Sequence, residues 1–247
     1  MGLTETEKSS TPDHARRVRE MFARISPRYD LLNHLLSANI DKRWRRKLVQ
    51  KLQPLLPVNA RVLDVGCGTG DLSIAIFEKT VAQVVGIDFC RPMLELARKK
   101  ASQLGFVEGD ALKLPFADAS FDAVAIAFAL RNLASIDQGL AELHRVLKPG
   151  GWLTILEFSK PVVPGVRELV EFYYRDLLPW IGGWLSGSRS AYQYLPDSIA
   201  RFPDQQALAV LMRAAGLSEV EFENLSGGIA ALHTGRREDR KFLTCDL

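Results

Sequence analysis

Cysteines are scarce in this sequence, and their spacing fits neither a disulfide framework nor a metal site. Only Cys67, Cys90 and Cys245 occur among the 247 residues. An odd and sparse set of cysteines is typical of proteins that fold in a reducing cytosol. No cluster of residues with metal-ligand spacing is visible in the sequence, so we expect no metal in the active site.

Long hydrophobic runs are also missing. No stretch of 18 apolar residues occurs, which predicts that no helix spans a membrane. The first 13 residues are polar and contain no apolar segment of the signal-peptide type, so we expect a disordered lead and a cytoplasmic protein. The net charge of +3 is too small to indicate nucleic-acid binding by itself.

A glycine-rich turn follows directly after a strand-like apolar run at residues 62–65. The pattern D-x-G-x-G-x-G is formed by Asp64, Gly66, Gly68 and Gly70, and Asp71 follows it directly. Glycines permit a tight turn with positive φ and let a ligand approach the backbone. An acid on either side of the glycines suits a cationic ligand. The pattern resembles motif I of the class I S-adenosylmethionine methyltransferases, whose cofactor carries an ammonium and a sulfonium.

Short apolar runs alternate with helical patterns after residue 60. The strand-like runs are 62–65, 84–87, 104–107, 122–127 and 152–157, and the helical segments are 72–79, 91–102 and 137–147. This alternation predicts an α/β fold with a doubly wound, mostly parallel sheet of the Rossmann-like type. We divide residues 14–247 into a basic helical cap (14–57), a cofactor-binding core (58–163), a helical insertion (164–203) and closing strands (204–237).

Several further cofactor contacts are predicted at the carboxyl ends of strands, where ligands bind in open α/β sheets. Asp88 ends the second strand and can accept hydrogen bonds from both ribose hydroxyls. Asp110 and Ala111 follow the third strand, where a carboxylate can accept from an adenine amino group. Met93 could pack against the adenine face, although a core role fits it equally well. Thr69 is expected near the methionine end of the cofactor.

Four segments of the chain resemble the MenG/UbiE family of quinone C-methyltransferases. The likeness runs from about residue 21 to residue 237, and its motifs are Tyr29–Asn33 continuing to Trp44, Phe128–Asn132, Arg145–Ser159, and Asn224–Gly228 continuing to His233. Three positions depart from the family pattern, and one of them is Leu32, which replaces a methionine. Asp41 stands where the family commonly has a histidine, and Ala127 stands where some members have a serine near the cofactor.

The resemblance implies S-adenosylmethionine-dependent methylation of a ring carbon in demethylmenaquinol, with a ubiquinone-pathway quinol as the close alternative. Arg131 and Asn132 follow the fourth strand and are the expected catalytic residues, because a guanidinium near a phenol favours the phenolate. Tyr29 could orient the ring or one of its hydroxyls. A histidine that closes a strand is more often structural than catalytic, so we expect a structural role for His233.

The isoprenoid quinol that this family methylates is a membrane lipid, so the resemblance implies contact with a membrane. We expect the chain not to cross that membrane. The amphipathic stretch 166–185 could line a tunnel for an isoprenoid tail or rest at the membrane interface, or it could be a core or homodimer helix. The basic cap could dock on an anionic leaflet or could be a solvated face. A nucleic-acid methyltransferase is a remote alternative, which the missing Asn/Asp-Pro-Pro-Tyr/Phe/Trp motif argues against. A binding protein without activity is a third alternative.

Overall fold

The computed structural model describes residues 11–26, 37, 39–166, 168, 170 and 189–238, and it contains seven strands and seven α-helices in these ranges. The strands are β1 (Arg61–Val65), β2 (Gln83–Asp88), β3 (Gly105–Glu108), β4 (Phe121–Ala127), β5 (Leu147–Phe158), β6 (Leu217–Leu225) and β7 (Ala230–Arg237). The helices are α1 (Thr11–Ile25), α2 (Ile40–Leu52), α3 (Asp71–Lys79), α4 (Arg91–Lys100), α5 (Ile136–Val146), α6 (Arg189–Arg201) and α7 (Gln205–Ala214).

All seven strands form one sheet in the order β3-β2-β1-β4-β5-β7-β6. The first five strands are parallel, whereas β7 runs antiparallel to both β5 and β6. The strand order reverses between β1 and β4, because β2 and β3 lie on one side of β1 and the later strands on the other. This arrangement confirms the predicted doubly wound sheet and places a crevice at the carboxyl ends of β1 and β4.

Apolar side chains cover both faces of the sheet, because successive strand residues point to opposite sides. Val62 and Ala123 belong to a core on one face, where α2 contributes Trp44 and Leu48. On the opposite face, Leu63 and its neighbours pack with side chains of α5 and α7, including Leu140, Leu143, Leu208 and Met212. Burial on both faces explains why the parallel strands are continuous apolar runs rather than alternating ones.

Two predicted boundaries differ from the structure. Helix α1 begins at Thr11, inside the segment expected to be a disordered lead, because Pro12 and Asp13 are favourable in the first turn of a helix. The segment expected to contain only closing strands begins with α7, whose N-cap is Asp204. Residues 1–10 of the lead and residues 171–188 of the predicted insertion lie outside the described residues.

The cap helix α2 turns its apolar face to the sheet and its basic face outward. Two of its lysines form exposed ion pairs with the edge strand β6, between Lys47 and Glu223 at 3.1 Å and between Lys51 and Glu221 at 3.7 Å. In the part of the chain that the structure describes, no helix has both the length and the apolar character needed to cross a bilayer.

Candidate active site

A cavity of about 500 Å³ opens at the carboxyl ends of the parallel strands, at the reversal of strand order. It brings together seven of the predicted site residues, which are Gly66, Gly68, Asp88, Met93, Asp110, Ala111 and Asn132. Its volume lies in the range of small-molecule sites. The cavity is continuous from the glycine turn after β1 to the loop after β4, so two ligands could meet inside it.

The glycine turn needs glycine at Gly66 and leaves a gap at Gly68. Gly66 has φ +64°, and a Cβ added there would lie 2.4 Å from the Cβ of Ala129. Gly68 has φ +54°, and an added Cβ would meet no heavy atom within 4 Å. The turn therefore packs tightly against the β4 loop at its first glycine and leaves room for a ligand at its second.

Asp88 holds the floor of the cavity at the end of β2. Its two carboxylate oxygens accept hydrogen bonds from the backbone amides of Gly68 and Cys90, each at 2.8 Å. Burial raises the pKa of Asp88, and these amide bonds work against that rise. Each carboxylate oxygen has a second lone pair, so the group can hold the turn and still accept from ligand hydroxyls.

Part of the cavity wall is apolar and includes a residue that the sequence did not indicate. Phe22 of α1 lines the cavity together with Phe89 and the buried Met93. The guanidinium of Arg19 lies 5.5 Å from the centre of the Phe89 ring, which ties α1 to this wall. Asp110 is exposed and accepts from the amide of Leu112 at 2.9 Å. The cap thus takes part in the site.

Five predicted site residues lie behind the cavity wall, and these are Asp64, Thr69, Gly70, Asp71 and Arg131. Asp71 forms ion pairs with Lys100 at 2.8 Å and with Arg45 at 3.9 Å. The Lys100 ammonium also donates to the hydroxyl of Thr69 at 3.0 Å. The carboxylates expected to attract a cationic ligand are therefore engaged with protein groups, and their role toward a cofactor stays a prediction.

Asp64 is fully buried beneath the turn and accepts a hydrogen bond of 2.6 Å from the hydroxyl of Ser73. Burial is the main cause that raises the pKa of Asp64 from 3.8 to about 7. The Ser73 hydrogen bond and the positive charge of Arg45 work in the opposite direction. A charged form of this group is thus poorly tolerated in the folded protein.

The raised pKa makes stability depend on pH. The folded protein holds the Asp64 proton more tightly than the unfolded chain does. The contribution of protonated Asp64 to stability is therefore complete below pH 3.8 and is lost as pH rises to about 7. We expect the free energy of unfolding of the wild type to fall relative to Asp64→Asn by up to about 4 kcal/mol over this window. Urea titrations at several pH values measure the difference, and a constant difference would contradict it. Ser73→Ala should move the decline to higher pH.

Arg131 forms a buried ion pair with Glu157 of β5. Its Nη1 donates to Glu157 Oε1 at 2.7 Å and to the carbonyl of Phe128 at 2.6 Å. Burial raises the pKa of Glu157, while the charge of Arg131 and two backbone amides lower it. Within the described ranges, Nε of Arg131 is buried and has no hydrogen-bond partner. A buried guanidinium nitrogen without a partner is rare in folded proteins, and Arg131 itself does not line the cavity.

Asn132 reaches the cavity from the short 3₁₀ helix Leu130–Asn132 that follows β4. Its Oδ1 accepts from the hydroxyl of Tyr194 at 3.0 Å, and its Nδ2 lies 3.4 Å from the carbonyl of Phe128. Tyr194 belongs to α6 and was not predicted, because no local pattern links it to a residue 62 positions earlier. Tyr29, the third expected catalytic residue, lies outside the described residues.

Leu32, one of the three family departures, lies outside the described residues. The other two departures and His233 have structural surroundings of their own. Asp41 is buried, accepts from the Ser37 hydroxyl at 2.6 Å and forms an ion pair with Arg45. Ala127 lines the cavity. His233 is buried beside α7, with Nε2 2.8 Å from the carbonyl of Gln205. Among the residues described, no group of three or more His, Cys, Asp and Glu could hold a metal ion.

Sequence comparisons agree with the resemblance seen in the motifs. The profile of the ubiE/COQ5 methyltransferase family matches residues 10–237. The demethylmenaquinone methyltransferase of Thermus thermophilus is 48% identical over 222 residues, which cover 88% of this chain and all of that protein. The ubiquinone/menaquinone biosynthesis C-methyltransferase UbiE of Citrifermentans bemidjiense is 45% identical over 90% of this chain and 96% of its own length.

Solved structures confirm the fold class. A SAM-dependent methyltransferase from Thermotoga maritima superposes with a TM-score of 0.66 at 21% identity, covering 89% of this chain and 99% of that one. The [4+2]-cyclase SpnF superposes with a TM-score of 0.68 at 20% identity over 91% and 97% of the two chains. Since the second catalyses another reaction type on the same fold, the fold alone does not assign an activity. The family match covers nearly the whole chain, so the chain belongs to the ubiE/COQ5 methyltransferase family.

Proposed function

We propose that the protein transfers a methyl group from S-adenosylmethionine to a ring carbon of demethylmenaquinol. The observation that carries this proposal is the single cavity that joins the glycine turn and Asp88 to Asn132. Methyl transfer needs donor and acceptor in contact and aligned, and a continuous cavity allows this. The relatives named above are demethylmenaquinone and ubiquinone/menaquinone C-methyltransferases, which favours a quinol as the acceptor.

The residues around the glycine turn fit S-adenosylmethionine. Gly68 leaves open space at the turn, and the Asp88 carboxylate can accept from ribose hydroxyls. Met93 and Phe89 offer apolar surface for the adenine, and Asp110 can accept from its amino group. When bound, the cofactor supplies a methyl group on a positively charged sulfur, which an electron-rich carbon can attack.

The acceptor must be the reduced quinol, since an oxidised quinone ring is electron-poor. Loss of one phenolic proton puts negative charge on the neighbouring ring carbon and makes it nucleophilic. As that carbon bonds to the methyl group, the bond between the methyl group and sulfur breaks; the ring proton then leaves the same carbon and the phenolic oxygen is reprotonated, which restores the aromatic quinol. Arg131 stabilises that phenolate because a nearby guanidinium lowers the pKa of a phenol. Arg131 is not a base, since it stays protonated. A water held by Arg131 is the proposed proton acceptor, and it must lie beside the ion pair, because Arg131 bonds directly to Glu157 at 2.7 Å.

The isoprenoid tail requires apolar surface beyond the ring site. Burial of a hydrocarbon chain contributes about 0.8 kcal/mol per CH₂, so even partial cover is a substantial part of substrate affinity. The predicted insertion is the proposed tail-binding segment, and its described helix α6 reaches Asn132 through Tyr194. The exposed basic residues of the cap are the proposed contact with an anionic membrane surface.

The test is an assay with S-adenosylmethionine and chemically reduced demethylmenaquinol, run beside a reduced ubiquinone-pathway quinol. Mass spectrometry should find a product heavier by one methylene unit, with the methyl on the naphthoquinol ring carbon. Methylation of the second substrate as well would indicate a dual enzyme, as the names of several relatives suggest. A lack of product from both quinols, with cofactor binding intact, would overturn the proposal and return attention to nucleic acids.

A further inference from the structure

We propose that Tyr194 is a positioning residue that fixes the side-chain amide of Asn132 for the acceptor. This inference rests on the proposed function, because it assigns Asn132 to the acceptor half of the cavity. Tyr194 does not itself line the cavity, whereas Asn132 does. The hydrogen bond between them joins α6 to the 3₁₀ helix after β4.

The hydrogen bonds determine which way the amide points. The backbone carbonyl of Phe128 can only accept, so the group 3.4 Å from it must be the amide nitrogen of Asn132. The oxygen then faces Tyr194, whose hydroxyl must donate across the 3.0 Å distance. Burial raises the pKa of Tyr194, so the hydroxyl keeps its proton at neutral pH.

This orientation matters for the charge that the acceptor develops. The carbonyl of Phe128 receives the Nη1 group of Arg131 as well as the Asn132 amide, so the two donors lie on the same side of the loop. A phenolate is stabilised by donors and repelled by a carbonyl oxygen. Without the Tyr194 hydroxyl, the Asn132 oxygen loses this donor, and the orientation of the amide is fixed less firmly.

The fold offers a matched control on the same helix. Ser198 is buried on α6 and donates its hydroxyl to the carbonyl of Leu195 at 2.8 Å. Tyr194→Phe and Ser198→Ala each remove one hydroxyl from α6. A purely structural role for Tyr194 would give the two variants similar kinetics.

The experiment measures methylation of reduced demethylmenaquinol by the full-length variants across pH. Removing an oxyanion donor outright lowers kcat by about 10²–10³, so loss of the positioning group should lower it by about tenfold. In Tyr194→Phe we expect that fall, with the acid limb of the kcat profile shifted to higher pH and the KM for S-adenosylmethionine unchanged. Ser198→Ala should remain within about twofold of the wild type.

A double-mutant cycle shows whether Tyr194 acts through Asn132. In an Asn132→Ala background, Tyr194→Phe should have no further effect on kcat. Independent effects in this cycle, or identical kinetics of Tyr194→Phe and Ser198→Ala, would overturn the inference.

A second readout separates this inference from the proposed function. The NMR signals of the Asn132 side-chain amide should shift in Tyr194→Phe and stay in place in Ser198→Ala. If the wild type methylates no quinol while these signals behave as expected, the proposed function fails and the positioning contact stands. If the wild type is active and the signals do not move, the positioning inference fails alone.

Discussion

Replacing Arg131 with alanine should reduce kcat for quinol methylation by about 10²–10³ while S-adenosylmethionine still binds. The reason is the proposed role of the guanidinium in stabilising the phenolate; its buried Nε has no hydrogen-bond partner within the described chain. Arg131 does not line the cavity and stands next to Asn132, on the proposed acceptor side, so calorimetric titration with S-adenosylmethionine should give an affinity near that of the wild type. Steady-state kinetics and product mass spectrometry measure the loss of turnover.

The control for this prediction addresses the ion pair with Glu157. Truncating Arg131 leaves a buried carboxylate without its partner, which typically destabilises a protein by about 3–5 kcal/mol. The double variant Arg131→Ala/Glu157→Gln removes the charge from both partners and should recover much of the stability. Turnover should remain low in the double variant. Recovery of turnover together with stability would mean that Arg131 acts only as a structural ion pair.

The second large effect is expected at the glycine turn. Gly66→Ala should lower both stability and cofactor affinity, because the new Cβ would lie 2.4 Å from the Cβ of Ala129 and because φ is +64°. The left-handed conformation alone disfavours alanine by about 1–2 kcal/mol, and the overlap forces the β4 loop to move. Urea unfolding measures the first loss and calorimetry the second.

Gly68→Ala is the matched variant for this prediction. It has the same left-handed strain, with φ +54°, but its Cβ would meet no heavy atom within 4 Å. We expect it to be folded and less destabilised than Gly66→Ala. Its methyl group would occupy the open space at the cavity, so the affinity for S-adenosylmethionine should fall tenfold or more, which corresponds to at least about 1.4 kcal/mol. Wild-type affinity in this variant would mean that the cofactor does not lie against the turn.

The sequence predicted the parts of this protein that depend on local patterns. The strand before Gly66 and the acid that ends the next strand could be recognised because the turn, the strand and the helix are consecutive in the chain. The cavity does bring Gly66, Gly68 and Asp88 together. The boundaries of the parallel strands differ from the prediction by at most one residue, except that β5 begins five residues early at Leu147.

The contacts that the sequence could not predict join distant segments. Arg131 and Glu157 are 26 residues apart, and Asn132 and Tyr194 are 62 apart, so no spacing rule relates them. Glu157 lies in the family motif Arg145–Ser159, but the sequence did not indicate that its partner is Arg131. Helix α7 was missed although Asp204 is a typical N-cap and Leu208, Leu211 and Met212 repeat at helical spacing.

The position of β1 in the sheet separates the site into a fixed part and a part that can open. β1 is buried and is paired with β2 and β4 on its two sides, so the turn that follows it can be released only when the whole domain unfolds. Helices α1 and α6 instead meet the site from outside the sheet, through Phe22, the Arg19–Phe89 contact and the hydrogen bond from Tyr194 to Asn132. We therefore expect any opening for ligands to occur at these two helices, while the floor of the cavity keeps its shape from one turnover to the next.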